Sequence, residues 1–245
     1  MIKILIVQTD NRIDVDYLGL TKLANTKTVE LLNTNELFNE FSYRYEFIHM
    51  KEYHYGTMHP ANGKISVMSE LLNTIDDDFI VFLDTDAWIQ SPDNLHKLIL
   101  KLKNSDNKLG AFSRDPYISR NTYINSGSFI IKVNDFTRNM YSQISEHLKN
   151  YPEFHNKWQY DQHYISDFVF KNKENFMVFV PDILNTPHGK VLRHNWWKDQ
   201  KLFRNLYDIL DNYTRPHIPQ EILDFDTLYD NMIYPNPDTY GYEYW

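Results

Sequence analysis

The run Phe79-Ile80-Val81-Phe82-Leu83 is five apolar residues, mostly β-formers, and it ends at Asp84-Thr85-Asp86. An unbroken apolar stretch of this length reads as a strand buried on both faces, so structure must pack above and below it. In open α/β sheets the ligand crevice lies outside the carboxyl ends of the strands. The two carboxylates therefore arrive where a ligand would be met. An Asp-x-Asp in that place can bind a hard divalent cation through oxygen, and the cation can neutralise a diphosphate. A strand can also simply end in a polar turn, so the motif needs support from the rest of the chain.

The other segments supply a frame. Residues 3–8 form a first strand, ending at Thr9-Asp10-Asn11. Thr9 and Asp10 are either ligand contacts at a strand's carboxyl end or a cap and turn. Residues 18–38 are expected to be helical, and 43–50 alternate as a second strand. Residues 53–63 read as a loop carrying His54 and His59. With His49 these make three nearby histidines, but no metal-ligand spacing on one element joins them. Residues 64–75 carry Ile65, Met68, Leu71 and Leu72 on one helical face, and Ser91-Pro92-Asp93 opens another helix. Downstream, strands are expected at 109–113 and 176–180. A turn and then a strand is expected over 121–132, with helices at 135–148, 160–170 and 201–210, and an extended piece at 191–197. From about residue 214 the tail is expected to be irregular. Alternation of strand and helix over the first hundred residues predicts an α/β fold with a Rossmann-like, mostly parallel central sheet flanked by helices. No repeat or linker divides it, so residues 1–245 are expected to form a single domain.

Composition narrows the function. A net charge of −8 argues against a nucleic-acid partner. With no cysteine, disulfides, zinc–thiolate centres and cysteine nucleophiles are excluded. The sequence holds 7 glycines and lacks both the Gly-rich dinucleotide fingerprint and the P-loop. No apolar run approaches the length of a membrane span, and residues 1–7 are too short for a signal peptide's apolar core. A soluble, cytoplasmic protein is therefore expected.

Four stretches, in order, carry a family likeness: Lys64-Ile65 twenty residues before Asp84 in FIVFLDTDAWI, then NSGSFIIK, then YDQHYI, then VLRHNWWKD. Together they resemble retaining GT-A glycosyltransferases, in particular family 34 of α-galactosyl-, α-xylosyl- and α-mannosyltransferases. The likeness covers roughly residues 55–200. It implies that Asp84 and Asp86 hold Mn²⁺ (or Mg²⁺) on a nucleotide-sugar diphosphate. It implies that Lys64 approaches the donor, that Asn125 lies in a turn beside the donor sugar, and that Asp161 and Gln162 lie on the sugar's β-face. His194 would complete the metal shell, and Lys198 would contact the leaving diphosphate. The acceptor would be a glycan or another hydroxyl compound. The relatives place a glycine between that histidine and lysine; this chain does not, which makes Lys201 a competitor of Lys198. Eukaryotic members carry an N-terminal membrane anchor, which is not expected here.

The residue chemistry agrees with that transfer. A divalent metal acts as a Lewis acid on the departing diphosphate, and a mixed oxygen and nitrogen set suits Mn²⁺ better than Ca²⁺. His188, in a turn-like Pro187-His188-Gly189, is an alternative third ligand. Gln162 could stabilise oxocarbenium-like charge through its carbonyl oxygen, and Asp161 could do so more strongly or hold the acceptor. Asp161 could equally be a helix-opening residue favoured by the dipole. Arg114 is a donor contact or an ordinary turn residue. Trp196 and Trp197 could form a stacking platform for the acceptor, with at least one of them in the core. Trp88 reads as packing. The competing readings are a haloacid-dehalogenase-type phosphohydrolase, a sugar nucleotidyltransferase, and a non-catalytic domain that binds a sugar or a partner.

Overall fold

Residues 4–10 are buried without a break, so the first strand lies inside a sheet rather than at its rim. In the computed structural model the described residues are 1–50, 59–116, 123–155, 160–204, 206 and 222–229. The strands are β1 (Ile2–Asp10), β2 (Phe41–His49), β3 (Phe79–Asp84), β4 (Ala87–Ile89), β5 (Gly110–Arg114), β6 (Ile124–Lys132), β7 (Phe176–Phe179) and β8 (Leu192–His194). Six of them form one sheet in the order β2-β1-β3-β6-β5-β7, and β4 pairs with β8 in a second small sheet. β1 is parallel to β2 and β3, and β5 is parallel to β7. β6 runs antiparallel to both β3 and β5. The mixed α/β architecture with a mostly parallel central sheet is thus observed as expected.

Alternate residues of the central strands feed two cores, because successive side chains point to opposite faces. Ile4, Ile6, Val81 and Leu83 pack against α1 (Leu18–Thr34) and α3 (Pro92–Lys103). Leu5, Val7, Ile80 and Phe82 pack against α2 (Pro60–Thr74), α4 (Asp135–Asn150) and α5 (Tyr160–Lys171). Phe82 stacks on Phe129 of β6 with ring centroids 4.9 Å apart. Burial of this kind is the main driving term; truncating such a phenylalanine costs about 3–5 kcal/mol.

Helix starts follow local chemistry. Ser91 caps α3 through its hydroxyl, and Asn134 with Thr137 forms a reciprocal capping box on α4. α2 begins four residues earlier than expected, since Pro60-Ala61-Asn62-Gly63 forms its first turn rather than a loop. Tertiary bonds explain this. Asn62 donates to the His155 carbonyl at 2.9 Å and accepts from the Asp161 amide at 3.0 Å.

Two further differences bear on the site. The Asn125–Gly127 segment is not a turn preceding β6 but part of it. Its pairing with β5 jumps from Ala111↔Ile130 to Ser113↔Asn125, so the turn chemistry survives as an irregularity inside the strand. β4 was not anticipated at all. Of the expected helix at 201–210, residues 201–204 and 206 are helical, and 205 and 207–210 lie outside the described residues. Within the tail, residues 222–229 form no helix. Leu223 and Phe225 are buried, and the Leu223 amide donates to Asn94 Oδ1 of α3. The remaining tail and His54 lie outside the described residues. Among the described residues no helix is long and apolar enough to cross a membrane.

Candidate active site

Asp84 closes β3 and Asp86 follows two residues later, at the carboxyl edge of the sheet. The turn that carries them is held by buried polar side chains from β1 and α1. Gln8 Nε2 donates to the Thr85 carbonyl at 2.9 Å and the Asp84 carbonyl at 3.1 Å, and Thr21 Oγ1 donates to the Thr85 carbonyl at 2.8 Å. The Thr85 hydroxyl donates to Asp10 Oδ2 and lies 3.2 Å from the Thr9 carbonyl. Asn25 of α1 then clamps β4, accepting from the Ile89 amide at 3.0 Å. None of Gln8, Thr21 or Asn25 stood out in the sequence. Thr21, Asn25 and Thr28 share one helical face, but a polar stripe reads as a solvent face unless something polar is known to meet it.

The β4–β8 ladder brings a segment distant in the chain, Leu192–His194, to this turn. Ala87 pairs with His194, so His194 Nε2 stands 3.1 Å from Asp86 Oδ1 and 3.8 Å from Asp84 Oδ2. The imidazole is packed closely against Gly127: a Cβ there would fall 2.0 Å from His194 Cε1. The glycine of Asn-Ser-Gly-Ser is therefore required by close approach rather than by a turn. His188, the other candidate ligand, is exposed and sits edge-on to Trp197 instead.

Lys64 reaches Asp84 from α2. Its Nζ is 2.9 Å from Asp84 Oδ1, 3.0 Å from Oδ2 and 3.2 Å from Asp161 Oδ2. Burial opposes charge on this ammonium, yet the two carboxylates outweigh it and hold Lys64 above the ordinary lysine range. The two motif carboxylates are driven apart. Burial pushes the Asp84 carboxyl up against the pull of Lys64 and His194. At Asp86 the same burial is outweighed by His194, with Lys198 adding to it, and the carboxyl is held below its ordinary value.

Asp161 is buried behind Lys64 and accepts from the Ser126 hydroxyl. Gln162 Oε1 accepts from the Ser126 amide at 3.3 Å. Asn125 is spent within the fold: its Nδ2 donates to Asp115 Oδ2 at 3.0 Å and its Oδ1 accepts from the Gly127 amide at 2.9 Å. Arg114 is half-buried at the end of β5 and is not among the described residues lining the cleft.

That cleft, of about 360 Å³, opens over the carboxylates. Thr9, Asp10, Lys64, Asp84, Asp86 and Lys198 line it together with Arg12 and Tyr17. Asp10 is held by Arg12, whose Nε and Nη2 lie 3.0 and 2.9 Å from its two oxygens. Burial works against the charge on Asp10, but the Arg12 and Thr85 hydrogen bonds prevail and lower its carboxyl. Arg12, Lys64 and Lys198 line the cleft beside Asp10, Asp84 and Asp86, so cationic and anionic side chains share its walls. Arg12 was missed because a lone arginine near a strand end carries no local signal. Lys198 lines the cleft, whereas Lys201 is exposed at the start of the next helix.

No protein-family model matches the chain. No curated protein matches it either. The fold, however, is that of a glycosyltransferase structure. The chain is similar to the crystal structure of a glycosyltransferase involved in the glycosylation of the major capsid of PBCV-1, with TM-score 0.59 and 18% identity over 83% of this chain and 98% of that one. A likeness to mouse xyloside xylosyltransferase 1, apo form, has TM-score 0.47 and 12% identity over 88% of this chain and 94% of that one.

The donor set fits a divalent metal in kind. Two carboxylates and an imidazole nitrogen converge, and the 3.1 and 3.8 Å separations approach the spacing of about 3 Å between neighbouring ligands on a small octahedral cation. As the side chains stand, they are spent on one another. Among the described residues no group of three or more His, Asp or Glu side chains is placed so that it could hold a metal ion. Lys64 occupies both oxygens of Asp84.

Proposed function

We propose that this chain is a metal-dependent glycosyltransferase that moves a sugar from a nucleotide-sugar donor, UDP-linked, to a hydroxyl of a glycan acceptor with retention of configuration. One arrangement carries the reading: Asp84 and Asp86 at the carboxyl edge of the sheet, faced by His194 Nε2 and opening on a cleft that three cations line. The glycosyltransferase fold of the PBCV-1 relative and the order of the four family-34-like stretches support it.

In this reading Asp84, Asp86 and His194 hold Mn²⁺ or Mg²⁺. When bound, that ion supplies Lewis-acid stabilisation of the departing diphosphate. Arg12 and Lys198 bind the diphosphate oxygens from the cleft walls, and Lys64 keeps Asp84 oriented. Asp161 acts through Lys64, and Gln162 through the Ser126 amide, so both position the donor-facing backbone of β6. For Gln162 to face the sugar, its bond to Ser126 must be exchanged for one to the donor. With transfer on one face, the acceptor's hydroxyl proton passes to the leaving diphosphate oxygen as the new C–O bond forms and the anomeric C–O bond breaks.

Turnover of a panel of UDP- and GDP-sugars with Mn²⁺ tests this, read as released nucleotide. Asp86→Ala is expected to lose about 100-fold or more in kcat/KM, as the electrostatic help of a metal amounts to several kcal/mol. The anomeric configuration of the product decides retention. A folded protein that binds and turns over no nucleotide sugar would overturn the reading.

A further inference from the structure

Trp197 is 56% exposed, although it lies in the same turn as residues fixed to the candidate metal corner. The Asn195 amide donates to the Asp86 carbonyl at 2.9 Å, and the Lys198 amide closes the turn on the Asn195 carbonyl at 2.7 Å. The Asn195 side chain locks the exit through two bonds to the Asp199 backbone, 3.0 and 3.1 Å. Lys198 enters the cleft from this turn, while Trp197 is not among the described residues that line it. The ring has edge supports on two sides. Trp196 is perpendicular to it at 6.5 Å, and His188 is near-perpendicular at 6.1 Å. Trp196 in turn stands perpendicular to His194 at 5.2 Å.

The backbone at His188 is fixed as well. Its amide donates to Thr186 Oγ1 at 3.1 Å, while the Thr186 carbonyl accepts from both Gly189 and His194. Gly189 is pressed so close to β8 that a Cβ would fall 1.9 Å from the Leu192 carbonyl oxygen. An indole left open on a rigid turn is costly to keep in water, and its negative π face attracts the polarised C–H face of a pyranose.

We propose that Trp197, with the exposed imidazole of His188 at its edge, is the acceptor subsite, and that it takes a neutral pyranose of a glycan by stacking. This rests on the transfer reading above. The turn then does two things at once: Lys198 meets the donor diphosphate and Trp197 seats the sugar that receives the transfer.

Saturation-transfer-difference NMR with methyl glycosides of glucose, galactose, mannose and xylose tests it, with UDP plus Mn²⁺ titrated in parallel on the wild type. At least one glycoside is expected to receive saturation on one ring face. Trp197→Ala, of unchanged melting temperature, should abolish the signal, Trp197→Phe should retain it, and His188→Ala should reduce it several-fold. Equal signals in Trp197→Ala, or none with any glycoside in the wild type, would overturn the inference even if UDP binds. Glycoside contact that needs Trp197, without nucleotide binding, would support the subsite and remove the transfer reading instead.

Discussion

His194 is the cross-strand partner of Ala87, and its Nε2 stands 3.1 Å from Asp86 Oδ1. The two residues come from short strands far apart in the chain. The imidazole occupies the space that a Cβ at position 127 would need.

Gly127→Ala should therefore displace His194 while leaving the sheet intact. Changes to residues that orient a metal ligand typically cost 10–100-fold in affinity, and a loss of about that size in Mn²⁺ binding is expected by calorimetry. His194→Ala should show a similar loss. Full affinity in Gly127→Ala would remove His194 from the ligand set.

Lys64 is a buried cation between Asp84 and Asp161. Lys64→Met leaves two carboxylates without their partner, and breaking a buried pair in this way costs about 3–5 kcal/mol. Adding Asp161→Asn should recover part of that loss. Urea denaturation of the single and double variants measures the coupling, and strictly additive effects would show that the three groups do not act as a unit.

Gln8 bridges β1 to the carboxylate turn and accepts from the Tyr45 hydroxyl at 2.7 Å. Gln8→Leu takes this donor from the Asp84 carbonyl and this acceptor from the Tyr45 hydroxyl, and leaves the Thr85 carbonyl with Thr21 alone, so a loss of about 1–3 kcal/mol is expected in denaturant unfolding. Mn²⁺ affinity should fall with it, because the turn holding Asp84 and Asp86 is no longer fixed.

His96 sets a pH dependence away from the site. Its ring stacks on Phe38 at 3.7 Å, and Nδ1 lies 2.8 Å from the Tyr43 hydroxyl. Burial lowers its pKa, with Asp93 opposing weakly. The folded state thus binds fewer protons than the unfolded one below about pH 6.5. The stabilisation is complete above that pH and is lost as pH falls through the folded value. His96→Phe combined with Tyr43→Phe, which avoids a stranded hydroxyl, should flatten the decline in melting temperature between pH 7 and pH 5.

Legibility followed the kind of signal each element carries. β3 and the apolar faces of α2 and α3 were visible because period and run length report burial directly. The start of α2 was misplaced because Asn62 and Gly63 are poor helix formers locally; Asn62 is held there by bonds to His155 and Asp161. The three residues of β4 were too few to carry a period. Asp84, Asp86, His194 and Lys198 could be named from family likeness, but their convergence could not be read from spacing.

The amino-acid sequence by itself determined a buried central strand with two carboxylates at its carboxyl end, helices on both sides and an acidic chain without cysteine chemistry. Those properties depend on local periodicity and composition. Only the tertiary structure decided that His194 rather than His188 faces the carboxylates, that Lys64 joins Asp84 to Asp161, and that Gln8, Thr21 and Asn25 hold the turn from beneath. The reason is physical: such contacts come from strand register and chain closure between distant segments, and a polar side chain has no local mark that tells a buried partner from water.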